Sequence, residues 1–202
     1  MQQELGNIFY RLGNKIYINI TNACPCNCIF CIRNSTDGVG DAPSLWLAHE
    51  PSLTEIYKAF DNRQDINQCD EIVFCGYGEP MCRPDDVVEI AKYIKNICQL
   101  PIRINTNGLV KLMTPEFEIS KLAAVDAVSI SLNADEDHEY LRISKPSFGI
   151  GSYGSLLEFV QQASKYTAVT LTVLEDLLPE RIDNCRKLAE DLGVEFRVRE
   201  YW

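Results

Sequence analysis

The sequence predicts an α/β fold in which a parallel sheet curves into an open, partial (β/α)6 barrel of the TIM type. Short apolar runs rich in β-branched residues alternate with helical patterns, which favours parallel strands with right-handed crossovers. Six strands and five helices are too few to close an eight-stranded barrel. A flat doubly wound sheet is the alternative. We expect residues 1–202 to form a single domain.

The predicted strands are short, and the first is preceded by an N-terminal hairpin that turns at Gly13-Asn14. In the fifth strand, Leu171 and Thr172 belong to alternate rows, and the sequence leaves open which row faces the barrel interior. The six strands are predicted at residues 15–20, 71–75, 102–105, 127–132, 168–174 and 195–200.

Five helices are predicted between the strands. Ser52 and Glu55 have the spacing of a capping box, and Pro84 suits the first turn of the next helix. Thr114-Pro115 is expected to open a third, shorter helix. The last two helices are predicted from apolar stripes within residues 156–163 and 182–192.

Charge and cysteine usage narrow the class of protein. The net charge of −10 makes nucleic acid an unexpected partner. No apolar run is long enough to cross a bilayer and the first residues are too polar for a signal peptide, so we expect no membrane association and a cytoplasmic location. Thiols stay reduced there, and nine cysteines cannot all pair. Clustered, reduced cysteines indicate metal ligands or catalysts.

Four cysteines fall within eight positions, directly after the predicted first strand. Cys24, Cys28 and Cys31 have the spacing C-x3-C-x2-C. Three thiolates can hold three irons of a [4Fe–4S] cluster and leave the fourth iron open for a ligand. Zinc is the alternative, although these cysteines are closer together than the usual paired zinc ligands. Phe30 would place an apolar ring beside the cluster.

The pattern C-x3-C-x-aromatic-C after a first strand resembles that of the radical S-adenosylmethionine (SAM) superfamily. In that family three cysteines bind the cluster, and SAM chelates the fourth iron through its amino and carboxylate groups. The resemblance implies that Cys24, Cys28 and Cys31 are the metal ligands and that Cys26 is a spare thiol. It also implies a [4Fe–4S] cluster and S-adenosylmethionine as cofactors, with an electron donor such as flavodoxin or ferredoxin.

The segment GYGEP, at the end of the second predicted strand, resembles the family's Gly-Gly-Glu segment, which holds the SAM ammonium group. Glycines allow close backbone approach, and a carboxylate or carbonyl pairs with a cation. Taken alone, the segment would be only a turn. The neighbouring Cys75 and Cys82 have either a substrate-side or a packing role. The implied cofactor-binding residues here are Gly76, Tyr77, Gly78 and Glu79.

Two later strand ends carry polar side chains that match the family's SAM-contacting positions. Asn105 and Asn107, in NTNG, can hydrogen-bond ribose hydroxyls or a carboxylate, or form an ordinary turn. Ser131 and Asn133, in SISLNA, match polar positions that contact SAM in the family. Arg142 could pair with the SAM carboxylate or lie on the surface.

The resemblance implies an enzyme that cleaves SAM reductively and generates a deoxyadenosyl radical. That radical would abstract hydrogen from an unidentified substrate, which could be a small molecule, a peptide or a protein. The alternatives are an activase that places a radical on a partner protein, and a non-enzymatic metal-binding module. The short chain and the run EFRVRE also resemble those of the TatD-associated radical SAM proteins. This narrower resemblance implies no known substrate. The sequence assigns no catalytic residue.

The segment Arg33 to Pro51 is long for a βα connection. Its apolar group is centred on Trp46. Long loops in compact domains usually have a function, so we expect this loop to help enclose the active site or to dock a substrate or partner. The alternative is that Trp46 packs against the first helix.

Overall fold

The computed structural model describes residues 6–36 and 38–200. Seven strands form one sheet in chain order; the first pair is antiparallel and all the others are parallel. A doubly wound sheet reverses its strand order at a switch point, so the sequential order excludes that alternative. The two outermost strands, as far as the chain is described, pair with no further strand, so the sheet is open as predicted.

The predicted hairpin is confirmed, and Gly13 adopts the left-handed conformation at its two-residue turn, with φ 58°. The strands are β1 (Phe9–Leu12), β2 (Lys15–Ile18), β3 (Glu71–Phe74), β4 (Ile102–Thr106), β5 (Ala127–Ser131), β6 (Ala168–Leu174) and β7 (Glu195–Arg199). The α-helices are α1 (Leu53–Asp61), α2 (Pro84–Ile97), α3 (Val110–Met113), α4 (Asp137–Ser144), α5 (Ser152–Ala163) and α6 (Ile182–Asp191). Across residues 6–36 and 38–200, every helix is too short or too polar to span a bilayer.

Local signals placed most helices correctly, but two differ from the prediction. The capping box of Ser52 and Glu55 is present at the start of α1. The prediction of a helix that opens at Thr114-Pro115 is wrong. Helix α3 lies before this pair and ends at Met113, because Thr114 precedes a proline and such a residue disfavours helical backbone. Helix α4 was not predicted, since its eight residues are mostly polar and only Tyr140, Ile143 and Ser144 are buried.

Alternate residues of the parallel strands face different surroundings. The row that includes Leu171 and Val173 packs under the helices in the main hydrophobic core. The register sets Thr172 beside Ser131 and Arg197, in the row that faces the barrel interior. This answers the question that the sequence left open in β6. The outer row supplies the apolar core, so the inner row is free to carry polar side chains.

Asparagine side chains fix the course of the loop between β2 and α1. The Asn22 amide donates to the Leu47 carbonyl oxygen at 2.7 Å and accepts from the Leu47 backbone N–H at 3.0 Å. The Asn19 amide donates to the Leu45 carbonyl oxygen at 2.7 Å. These bonds satisfy backbone groups of a segment that has no strand partner of its own.

The two rows of β6 predict opposite responses to truncation. Leu171→Ala should lower the free energy of unfolding by about 2–5 kcal/mol, because it opens a cavity in the core. Thr170→Ala, one residue away in the inner row, should cost less than about 1 kcal/mol. Urea denaturation of both variants checks this, and equal losses would contradict the assignment of the rows.

Candidate functional site

The predicted motifs meet at the C-terminal ends of the parallel strands. The cysteine loop follows β2, GYGEP follows β3, NTNG spans the end of β4 and SISLNA the end of β5. Parallel strands present these ends at one edge, where α/β proteins bind ligands. One cavity of about 170 Å³ is lined by members of all four motifs: Cys24, Cys26, Cys28, Phe30, Gly78, Glu79, Asn105, Thr106, Asn107, Ser131 and Asn133.

Glu79 links three of these segments through its carboxylate and its backbone N–H. Its Oε1 accepts from the Met81 backbone N–H at 3.0 Å, and its Oε2 accepts from the Asn107 backbone N–H at 2.7 Å. The Glu79 backbone N–H donates to the Ala23 carbonyl oxygen at 2.8 Å, in the cysteine loop. Burial, assisted by the negative charge of Cys24, raises the pKa of Glu79 to about 7.

Two glycines of GYGEP allow the backbones to approach closely. A Cβ on Gly78 would overlap the Thr21 carbonyl oxygen and lie 2.7 Å from that of Ala23. A Cβ on Gly76 would overlap the Asn19 side chain. Neither glycine has a positive φ, so the requirement is for space and not for an unusual backbone conformation.

The cysteine loop distinguishes Cys26 from its neighbours. A hydrogen bond from the Cys26 thiol lowers the pKa of Cys24 to about 6 and also lowers the pKa of Cys28. The pKa of Cys26 is raised because it donates to both neighbours. Cys26 is only 4% exposed. Burial raises the pKa of Cys31, so the spacing of the cysteines and not their pKa shifts selects the three candidate ligands.

Cys31 lies at a neighbouring cavity of about 180 Å³, which shares Phe30 and Ser131 with the first. Within the described part of the chain, no three His, Cys, Asp or Glu side chains converge to hold a single metal ion. A [4Fe–4S] cluster differs from a single ion, since each iron takes its own thiolate and the ligands need not converge on one point.

Three residues that line the cysteine cavity have a buried polar atom without a hydrogen-bond partner among the residues described. The atoms are Oδ1 of Asn133, the hydroxyl of Tyr140 and Nε of Arg199. Buried polar groups are normally paired, so unpaired ones at a cavity indicate a place for ligand groups. The sequence analysis missed Tyr140, because helix α4, which carries it, was not predicted.

Some predicted site residues lie elsewhere. Arg142 is on the exposed side of α4, where it pairs with Glu139 at 2.6 Å, and does not line the cavity. Tyr77 is buried in a second apolar cluster with Tyr10, Ala42 and Leu45. Gly76 lines an interior cavity beyond the cysteine site.

Residues of the long loop line the interior cavity next to the cysteine site, and Trp46 contacts GYGEP. The Trp46 ring packs edge-on against Tyr77, with centroids 5.1 Å apart, and the residue is 44% exposed. The loop residues Val39 and Leu45 line the interior cavity. Trp46 thus joins the loop to GYGEP, and its part in enclosing the active site stays a prediction.

Arg199 was missed by the sequence analysis. It lines both the cysteine cavity and the cavity beside Cys31. The available signal was alternation: in EFRVRE, charged residues alternate with Phe196 and Val198, and only one row of a strand can face the interior.

Comparison with known proteins places this site in context. Residues 18–192 match the family model described as the Radical SAM superfamily. A probable GTP 3',8-cyclase of Thermoplasma volcanium is 25% identical over 201 residues, which are 98% of this chain and 56% of the relative. The chain therefore spans little more than half the length of this curated relative.

Two solved structures share the fold. TYW1 with a lysine-pyruvate adduct bound superposes with a TM-score of 0.61 at 17% identity, covering 94% of this chain and 65% of TYW1. Native anSMEcpe with bound AdoMet also gives a TM-score of 0.61, at 12% identity, covering 92% of this chain and 50% of anSMEcpe. At these identities the likeness concerns the fold alone.

Gly78→Ala tests whether the close approach of the cysteine loop to GYGEP excludes a side chain at position 78. The added methyl group should lower the free energy of unfolding by roughly 1–3 kcal/mol, because the overlapping atoms belong to the backbone. The matched control is Gly154→Ala in α5, where a Cβ meets nothing within 4 Å. That change should stabilise the chain by about 0.5–1 kcal/mol. Denaturant unfolding measures both, and a neutral Gly78→Ala would contradict the prediction.

Proposed function

We propose that the chain, which belongs to the radical SAM superfamily, binds a [4Fe–4S] cluster and SAM, cleaves SAM reductively, and uses the resulting deoxyadenosyl radical to abstract hydrogen from an unidentified substrate. The superfamily and its enzyme relatives mark the chain as an enzyme. One observation carries the proposal: Glu79 joins the cysteine loop, GYGEP and NTNG around one cavity.

The thiols of the cysteine loop fit the cluster. Cys24, Cys28 and Cys31 would hold it, and hydrogen bonds from the Cys26 thiol lower the pKa values of the first two. Cys26 keeps its proton and would support its neighbours as a hydrogen-bond donor. When bound, the cluster would supply the electron that splits SAM into methionine and the deoxyadenosyl radical.

The polar atoms of the cavity fit SAM. Glu79 offers a carboxylate for an ammonium group, and ionisation of that carboxylate increases as pH rises through about 7. Asn133 Oδ1 would accept a hydrogen bond that the cavity otherwise leaves unmade. The absence of a side chain at Gly78 lets the cysteine loop pack against GYGEP. Asn105, Asn107 and Ser131 would orient the ligand through amide and hydroxyl groups.

The proposed reaction also indicates which partners the chain needs, a reductant and a substrate. The cluster would need a reductant, for which flavodoxin or ferredoxin is suited. The GTP cyclase relative supports a small-molecule substrate, although this chain matches only 56% of its length. The narrower resemblance to TatD-associated proteins stays a prediction.

The cysteine assignment is tested by single alanine substitutions. Cys24→Ala, Cys28→Ala and Cys31→Ala should each lose most of the iron that wild type takes up on anaerobic reconstitution with iron and sulfide, and should lose SAM cleavage, because each removes one of three ligands. Cys26→Ala is the matched control and should retain iron. Iron retained in Cys28→Ala, or lost only in Cys26→Ala, would contradict the assignment, and a wild type that takes up iron but never cleaves SAM would reject the function.

Trp46→Ala tests the role of the long loop. Removing the ring that packs on Tyr77 should loosen the loop and admit other hydrogen donors, so substrate-free SAM cleavage should rise severalfold with normal iron content. Tyr166→Ala, which removes a comparably exposed ring far from the site, is the control. Equal cleavage rates in wild type and both variants would argue against an enclosing role.

A further inference from the structure

Two arginines belong to the inner row of β7: Arg199 is half-buried, and Arg197 is exposed. Arg197 and Arg199 alternate with Phe196 and Val198, which pack towards the helices. The register sets Arg199 beside Leu174, near the C-terminal end of the sheet. Both guanidinium groups therefore lie on the side of the strand that faces the other inner rows.

These arginines line a cavity that extends from the cysteine site into the barrel. Its volume is about 340 Å³, and its walls include Tyr17, Cys75, Arg103 and Asn105. Arg199 borders this interior cavity, the cysteine cavity and the cavity beside Cys31. It therefore lies where a substrate in the barrel would meet the proposed radical.

The carboxylate deeper in the barrel already has partners. Glu71 accepts from Lys15 at 2.5 Å and from Arg103 at 2.9 and 3.0 Å. Arg199, by contrast, makes no ion pair with any described residue, and its Nε is buried without a hydrogen-bond partner. Among the side chains that the structure describes, Arg197 donates only to the Ser129 hydroxyl, at 3.4 Å. A buried guanidinium without a counter-charge is unfavourable, and an anion would relieve it.

The local electrostatics agree with this geometry. Burial lowers the pKa of Arg199, and repulsion from Arg197 and Arg103 lowers it further. Arg103 is neutralised by Glu71, and Glu200 also lines the interior cavity, so Arg199 is the arginine of this cavity that lacks a counter-charge among the residues described.

We propose that the substrate carries an anionic group, a carboxylate or a phosphate, which binds in the interior cavity to the guanidinium groups of Arg199 and Arg197. The planar guanidinium fork binds either group through paired N–H donors. This inference rests on the proposed function, because it names the substrate class of that site. The rest of the substrate would then extend from Arg199 towards the cysteine cavity.

The test measures anion binding to the reconstituted holoprotein. Inorganic phosphate and acetate are titrated separately at constant ionic strength, set with chloride, and the dissociation constants are obtained from shifts in melting temperature. Arg199→Gln should weaken binding of the preferred anion by about tenfold or more, since a charge-assisted pair is lost. Preference for phosphate or for acetate identifies which anionic group the substrate carries.

Arg186→Gln is the matched control, because this arginine packs over the outer side of β7, against the Phe196 ring at 4.9 Å. It removes the same charge and should leave anion affinity unchanged. Arg199→Lys keeps the charge without the fork and should bind with intermediate affinity, which guards against misfolding of the glutamine variant. Without added anion, Arg199→Gln should melt no lower than wild type, because it removes an unpaired buried charge.

Three results would overturn the inference. The first is that neither anion binds the wild type, which would leave the inner-row arginines as a protection of the edge strand against association. The second is that Arg186→Gln weakens anion binding as much as Arg199→Gln does. The third is that phosphate or acetate competes with SAM and Arg199→Gln weakens SAM binding to the same extent, which would assign Arg199 to the cofactor. SAM cleavage by the wild type, measured in parallel, decides the proposed function separately from the anion titration.

Discussion

The carboxylate of Glu79 accepts hydrogen bonds from the backbones of Met81 and Asn107, while its own N–H donates to Ala23, and through these bonds three loops share one cavity. A buried carboxylate is costly unless its oxygens are satisfied. Here the two donors are backbone groups, which side-chain substitution at their own positions does not remove. The carboxylate therefore fixes GYGEP against NTNG, and the backbone N–H of the same residue fixes GYGEP against the cysteine loop.

Residues that stabilise the fold and residues that line the cavities lie in different rows of the same strands. Leu171 and Val173 belong to the apolar row under the helices, whereas Thr172 and Arg199 belong to the row inside the barrel. Because the two rows alternate within each strand, polar and charged residues enter the interior without interrupting the core. The unpaired charge of Arg199 lies in the inner row, where a ligand can offset its unfavourable free energy.

The sequence predicted correctly those features that depend on residues close together in the chain. The turn at Gly13 and the cysteine spacing required no knowledge of the fold, and strand alternation with helices was sufficient for the open parallel sheet. What remained unpredicted depends on tertiary arrangement. The unpaired Tyr140 hydroxyl follows from helix α4, which is too short and too polar to recognise. The position of Arg199 at the cavity depends on which face β7 turns to the interior. Arg142 resembled a ligand-binding arginine but lies on the surface.

The asparagine anchors of the long loop have a consequence for protein engineering. Asn19 and Asn22 hold the main chain at Leu45 and Leu47, and every amino acid offers the same main-chain carbonyl oxygen. Part of the path of the loop is therefore encoded in the two asparagines that directly follow β2. Substitutions at exposed positions such as Pro43 and Ala48 would leave these bonds in place and change only the surface that the loop presents.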